Sequence, residues 1–69
     1  MADNSSNQMM QIVQWLNEHG SITAYEAMTR LGIGRLSARI YDLRERGYNI
    51  LTTYAQTEKS RYAVYIWEV

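Results

Sequence analysis

Residues 23–44 read TAYEAMTRLGIGRLSARIYDLR, and two helices separated by a tight turn are written into that stretch. Thr23-Ala24-Tyr25-Glu26 fits the capping box, in which a threonine hydroxyl and a glutamate three residues on satisfy the free backbone N–H groups of a helix start. A helix therefore begins at Ala24, with Ala27, Met28 and Leu31 as its apolar face. Gly32-Ile33-Gly34 stops it after about two turns.

From Arg35 to Arg46 the helical period resumes, with Leu36, Ile40 and Leu43 on one face and Gly47 as the stop. At about 100° per residue, setting those three inward turns Ala38, Tyr41, Asp42 and Glu45 outward. Arg35, Arg39 and Arg46 then line one shoulder, and Ser37 and Arg44 the other.

On the N-terminal side, Met9, Ile12, Val13 and Leu16 fall at i, i+3, i+4 and i+7, predicting a helix over 8–18 capped from Ser5, Ser6 and Asn7. Residues 1–7 read as a disordered tail and 8–69 as the domain. His19 and Gly20 end this first helix, the histidine serving the negative end of the helix dipole rather than chemistry. Beyond Gly47 the period becomes two. Tyr48–Tyr54 and Arg61–Trp67 are β-branched and aromatic, predicting two strands joined by the polar, glycine-free loop 55–60. Ile22, between Ser21 and Thr23, can add a one- or two-residue strand at the sheet's edge.

Helix, short helix, tight turn, third helix and a two-stranded ribbon is the order of an α+β winged helix-turn-helix. A three-helix bundle carrying a β-arm has the same order. A short capped second helix leading at once into an arginine-bearing third favours the winged form, since that third helix is sized for the DNA major groove.

Gly20–Ala27, Leu31-Gly32-Ile33, Arg35-Leu36-Ser37-Ala38-Arg39-Ile40-Tyr41-Asp42-Leu43-Arg44 and Gly47-Tyr48-Asn49-Ile50 also resemble a family of small phage and prophage helix-turn-helix domains. The resemblance spans roughly residues 9–66, with Gly-Ser-Ile-Thr and Ala-Arg-Ile-Tyr-Asp-Leu-Arg its more specific runs. It implies a winged-helix fold and a DNA-binding role in the cytoplasm of a bacterial host.

Composition sets the outer bounds. The chain has 69 residues, enough for one domain, and 46% of them are hydrophobic, which is globular rather than disordered. It has no cysteine, which excludes a disulfide scaffold, a thiol nucleophile, an iron–sulfur cluster and a zinc finger. No apolar run approaches the length of a membrane span, and Met1–Gln8 lacks the basic and apolar regions of a secretory signal, so the reading is a soluble intracellular protein with no membrane partner. The formal net charge is zero, but it is unevenly placed. Residues 1–29 carry Asp3, Glu18 and Glu26 and no base, whereas in 30–61 seven Lys and Arg face only Asp42, Glu45 and Glu58.

The candidate DNA-binding residues are Arg35, Ser37, Ala38, Arg39, Tyr41, Asp42 and Arg46 on the third helix, with Lys59 and Arg61 at the hairpin loop. Arginine offers the bidentate fork that guanine or a phosphate accepts, while Ser37, Ala38 and Tyr41 suit a base edge, a thymine methyl and a phosphate. The competing reading of Arg39, Asp42 and Arg46 is a surface ion-pair ladder at i+3 and i+4. Outward Asp42 and Glu45 oppose a phosphate backbone unless they accept from cytosine or neutralise an arginine. Lys59 and Arg61 equally serve as charges guarding a strand edge.

Tyr48, Tyr54, Tyr62, Tyr65 and Trp67 concentrate aromatic surface in the hairpin, and alternation puts apolar residues on both its faces. Only one face can cover the helices, so the other calls for a homodimer or a protein partner. Two functional readings follow: a double-stranded DNA binder, regulatory or architectural, and a winged helix that grips a host or phage protein. For an enzyme the chain offers no histidine cluster, metal-ligand spacing, phosphate-cradling glycine loop or catalytic residue, and no cofactor, metal or small-molecule substrate is implied.

Overall fold

The computed structural model describes residues 4–68. The element order is α1 (Asn4–His19), β1 (Ser21–Thr23), α2 (Ala24–Leu31), α3 (Leu36–Glu45), β2 (Ile50–Gln56) and β3 (Arg61–Trp67). The three strands form one antiparallel sheet in the order β1-β3-β2, so the edge strand expected around Ile22 is present and pairs with the last strand.

Strand passes to helix without a linker at Thr23. This residue is the last of β1 and the N-cap of α2: its Oγ1 accepts from the Glu26 N–H at 3.2 Å, and Glu26 Oε1 accepts from the Thr23 N–H at 3.0 Å. One residue earlier, Ile22 points into the core with no exposed surface. At the far end of α2, Gly32 takes the left-handed conformation (φ 70°), which lets its N–H and that of Ile33 return to the carbonyls of Met28 and Ala27. Ile33 is itself buried, so the turn carries an apolar plug and not only a stop signal. α3 ends in a Schellman motif, with Gly47 N–H on Arg44 O and Tyr48 N–H on Leu43 O, and Gly47 at φ 100°.

The core is aliphatic: Met9, Ile12 and Leu16 of α1, Ile22 of β1, Ala27 of α2, Ile33 of the turn, Leu36, Ile40 and Leu43 of α3, and Ile50 of β2. Val13, Trp15, Leu31, Tyr48, Tyr65 and Trp67 close around it, half-buried. Trp15 Nε1 donates to Ser21 O at 3.1 Å, tying α1 to β1, and the His19 ring packs on that indole.

Sheet register fixes which hairpin residues share a face, because directly opposed antiparallel residues point the same way. Ile50–Trp67, Thr52–Tyr65, Tyr54–Ala63 and Gln56–Arg61 lie on the helix-bearing face; Leu51–Ile66, Thr53–Val64 and Ala55–Tyr62 lie on the outer face. Of β2 only Ile50 is buried, so most of the hairpin projects beyond the helices. The radius of gyration, 11.9 Å, accordingly exceeds the roughly 11 Å of a compact chain this long.

Several expectations shift. α1 starts at Asn4 rather than 8, so Ser5, Ser6 and Asn7 lie inside the helix and not at its cap, and the expected disordered tail is helical from residue 4; residues 1–3 lie outside the described residues. Met28, counted as core, is 61% exposed, because α2 turns Ala27 and Leu31 toward the core and leaves Met28 beside that face. β2 starts at Ile50, two residues late, since Tyr48 is taken up in the α3 stop, and it runs on to Gln56. The loop is thus the four residues 57–60, pinned by Thr57, whose N–H donates to Ser60 O at 2.7 Å and whose Oγ1 accepts from the Ser60 N–H.

Thr23→Ala should lower the unfolding free energy by about 1 kcal/mol, with Thr23→Ser recovering most of it. Gly32→Ala should cost roughly 1–2 kcal/mol, because an L side chain is strained at that φ. Urea denaturation followed by far-ultraviolet circular dichroism measures both, and an unchanged midpoint for either would contradict the assigned cap.

Candidate nucleic-acid interface

The four residues 32–35 turn the chain from α2 into α3. Arg35 is the N-cap of α3, exposed, with no side-chain cap bond; its carbonyl accepts the first helical N–H, from Arg39. Because Leu36, Ile40 and Leu43 are buried, the remaining positions of α3 form its open surface.

That surface is turned relative to the expected one. Ser37, Tyr41, Arg44 and Glu45 are exposed, Tyr41 at 61%, whereas Ala38 and Asp42, expected to face outward, are half-buried. The Arg39 side chain is only 19% exposed and places Nη2 3.2 Å from Asp42 Oδ2, one turn further along the helix. One rung of the expected ladder is therefore formed. The second, Asp42 to Arg46, is not formed among the described residues, where Arg46 is an exposed C-cap whose N–H donates to Leu43 O. The carboxylate that most opposed a polyanion is thus matched by an arginine one turn earlier.

The hairpin adds two cations. Arg61 sits on the helix-bearing face with its guanidinium carbon 4.4 Å from the centre of the Tyr54 ring, a cation–π contact between diagonal neighbours on β3 and β2. Lys59 is exposed in the loop, its backbone N–H held by Thr57 Oγ1.

Sequence periodicity missed Arg44. Its Nε donates to Ile50 O at 2.8 Å and its Nη2 to Thr52 Oγ1 at 2.7 Å, so the last turn of α3 is strapped to the first residues of β2. Since Thr52 shares its face with Tyr54 and Arg61, the strap also sets the basic side of the hairpin on the same side of the sheet as α3. Partners six and eight residues away across a turn leave no trace in a helical period; the only cue was a long cation followed by a β-branched run.

A model of the winged helix-turn-helix domain matches residues 7–68. The chain belongs to that family. In the winged helix-turn-helix frame, α2, the turn 32–35 and α3 are the helix-turn-helix, and β2–β3 is the wing. No curated protein and no solved structure matches the chain.

Among the described residues no group of three or more His, Cys, Asp or Glu side chains is placed to hold a metal ion, and no helix is long and apolar enough to cross a membrane. A roomy concavity is different in character. Ser21, Thr23, Ala24, Tyr25, Glu26, Tyr62, Ala63 and Val64 line an open groove of about 530 Å³ where β1 ends and β3 continues into the wing. Beside it the outer face of the sheet leaves Leu51 and Tyr62 45% and 43% exposed.

A double-mutant cycle on Arg39→Ala and Asp42→Ala should return a coupling of roughly 0.3–0.5 kcal/mol, the scale of an i,i+3 ion pair on a helix. Thermal unfolding of the four proteins at low and high salt measures it, and a coupling that ignores salt would contradict an ion pair.

Proposed function

We propose that this winged helix-turn-helix domain binds double-stranded DNA, laying α3 in the major groove with the wing against the flanking backbone, as a phage-type transcriptional regulator or architectural protein in the bacterial cytoplasm. The observation that carries the reading is α3 itself. Its core-facing side is used by Leu36, Ile40 and Leu43, and its other side exposes Arg35, Ser37 and Tyr41 from the N-terminal turns. An α-helix with side chains is about 10–12 Å across and the major groove about 12 Å wide, so a helix uncovered in this way fits the groove.

Arg35 is the residue assigned to a base edge or phosphate at the groove, with Ser37 and Tyr41 beside it. Arg39, held to Asp42, presents a neutralised shoulder next to Ala38. Arg46 at the end of α3, and Lys59 and Arg61 of the wing, are assigned to phosphates. One such module makes few contacts, which favours action as a dimer on paired half-sites.

A second reading rests on a specific observation: on the outer face of the sheet Leu51 and Tyr62, with the 77% exposed Tyr25 near its groove, are apolar surface left exposed among the described residues. That face suits a second copy or a protein partner.

The two readings part on salt. Fluorescence anisotropy of the protein on a random duplex pool should give saturable binding, and four phosphate contacts would weaken it on the order of a hundredfold between about 50 and 200 mM salt. Arg35→Ala combined with Arg39→Ala should abolish that binding while the helical circular dichroism persists. No binding at the lower salt would move the weight to the apolar face and a protein partner.

A further inference from the structure

We infer that Arg44 is a phosphate-binding residue, held ready at the corner between α3 and the wing for one oxyanion of the DNA backbone. The inference rests on the DNA-binding reading and adds to it a contact point that helical periodicity places among ordinary surface residues.

A guanidinium has five N–H donors in one plane and cannot be deprotonated in a protein. Arg44 gives one from Nε to Ile50 O and one from Nη2 to Thr52 Oγ1. Both acceptors are neutral, so the bonds fix the plane of the group without reducing its charge. Three N–H groups are left, one on Nη2 and two on Nη1, and the residue is exposed. Among the described residues no carboxylate comes within ion-pair distance of it, in contrast to Arg39. The result is a full positive charge with an oriented fork, the geometry that meets a phosphate bidentately.

Position supplies the second half. Arg44 and Ser37 share the open shoulder of α3. A helix that fills the major groove brings its shoulders against the phosphate ridges bordering the groove, and this shoulder is the one from which the strap crosses to β2. The ridge between the groove occupied by α3 and the backbone met by the wing therefore runs past the outward side of Arg44. A fork already immobilised by two bonds loses little side-chain freedom on meeting it.

A purely mechanical role, bracing the wing, is separable by experiment. Duplex affinity is measured by anisotropy over a series of salt concentrations for the wild type, Arg44→Gln, Arg44→Lys and Thr52→Val. Arg44→Gln should weaken binding by roughly tenfold at about 100 mM salt. It should also flatten the log–log salt slope by about 0.9, the loss of one phosphate contact. Arg44→Lys keeps the charge and should keep the slope, although it cannot reproduce the two-point strap. Thr52→Val breaks one strap bond, keeps the charge, and should also keep the slope. If Arg44→Lys and Thr52→Val instead lose affinity and slope as Arg44→Gln does, Arg44 is a brace only and the inference is overturned. Should Arg44→Gln fail to fold by circular dichroism, the Lys and Val variants decide in the same way. A wild type that binds no duplex overturns this inference and the DNA-binding reading together, whereas a binding wild type with an unchanged slope in Arg44→Gln overturns this inference alone.

Discussion

The architecture hangs on what happens at Thr23, where one residue closes a strand and opens a helix. β1 is only three residues long, too short to hold a sheet edge on ladder bonds alone, and Ile22 at its centre anchors it by complete burial. Because the capping box starts α2 in the very next residue, the direction of α2 is set by the strand that precedes it. The turn at Gly32 then sets α3 relative to α2, and Arg44 sets the wing relative to α3. A chain of short, stiff junctions thus carries orientation from the sheet's edge, through both helices, and back to the sheet's opposite edge.

Electrostatics follows the same path. The chain as a whole is neutral, yet its bases all fall from Arg30 onward, in the segment that supplies α3 and the wing. Within that segment the cations are employed differently. Arg39 spends its charge on Asp42, Arg61 rests on the Tyr54 ring, and Arg44 is bonded to neutral acceptors. A single count of basic residues would treat them alike. An aromatic face or a backbone carbonyl orients a cation and leaves its field in place, whereas a carboxylate largely cancels it.

Much of this was legible in the residues alone. The capping box, the stops at Gly32 and Gly47, the buried triad of α3, the split of the hairpin into two faces and the edge strand at Ile22 are all local signals, each with its mechanism inside a window of a few residues. What escaped depends on choices made across space. Asn4–Gln8 has no apolar period, so the first turn of α1 was invisible to a hydrophobic reading. Ile33 looked like part of a stop, and only the packing of α2 against α3 makes it core. Ala38 and Asp42 are half-buried where the helical period turned them outward, and of two rungs that sequence spacing permitted equally, one formed. The strap at Arg44 depends on where β2 begins, which itself moved by two residues once Tyr48 was drawn into the helix stop.

The strand order β1-β3-β2 sets a schedule for biosynthesis. β1 finds its partner only in Val64–Ile66, more than 40 residues later, and the Gly20 carbonyl waits for the N–H of Trp67. Until the third strand has left the ribosome, β1 has no strand neighbour and Ile22 lacks its cross-strand partner Tyr65, so the nascent chain has only the packing of its helices to hold it. Folding is therefore coupled to release of the last strand rather than proceeding element by element as the chain emerges. The same closure means that clipping residues from the C-terminal side would undo the sheet at both its edges at once, since β3 is the strand on which β1 and β2 both depend.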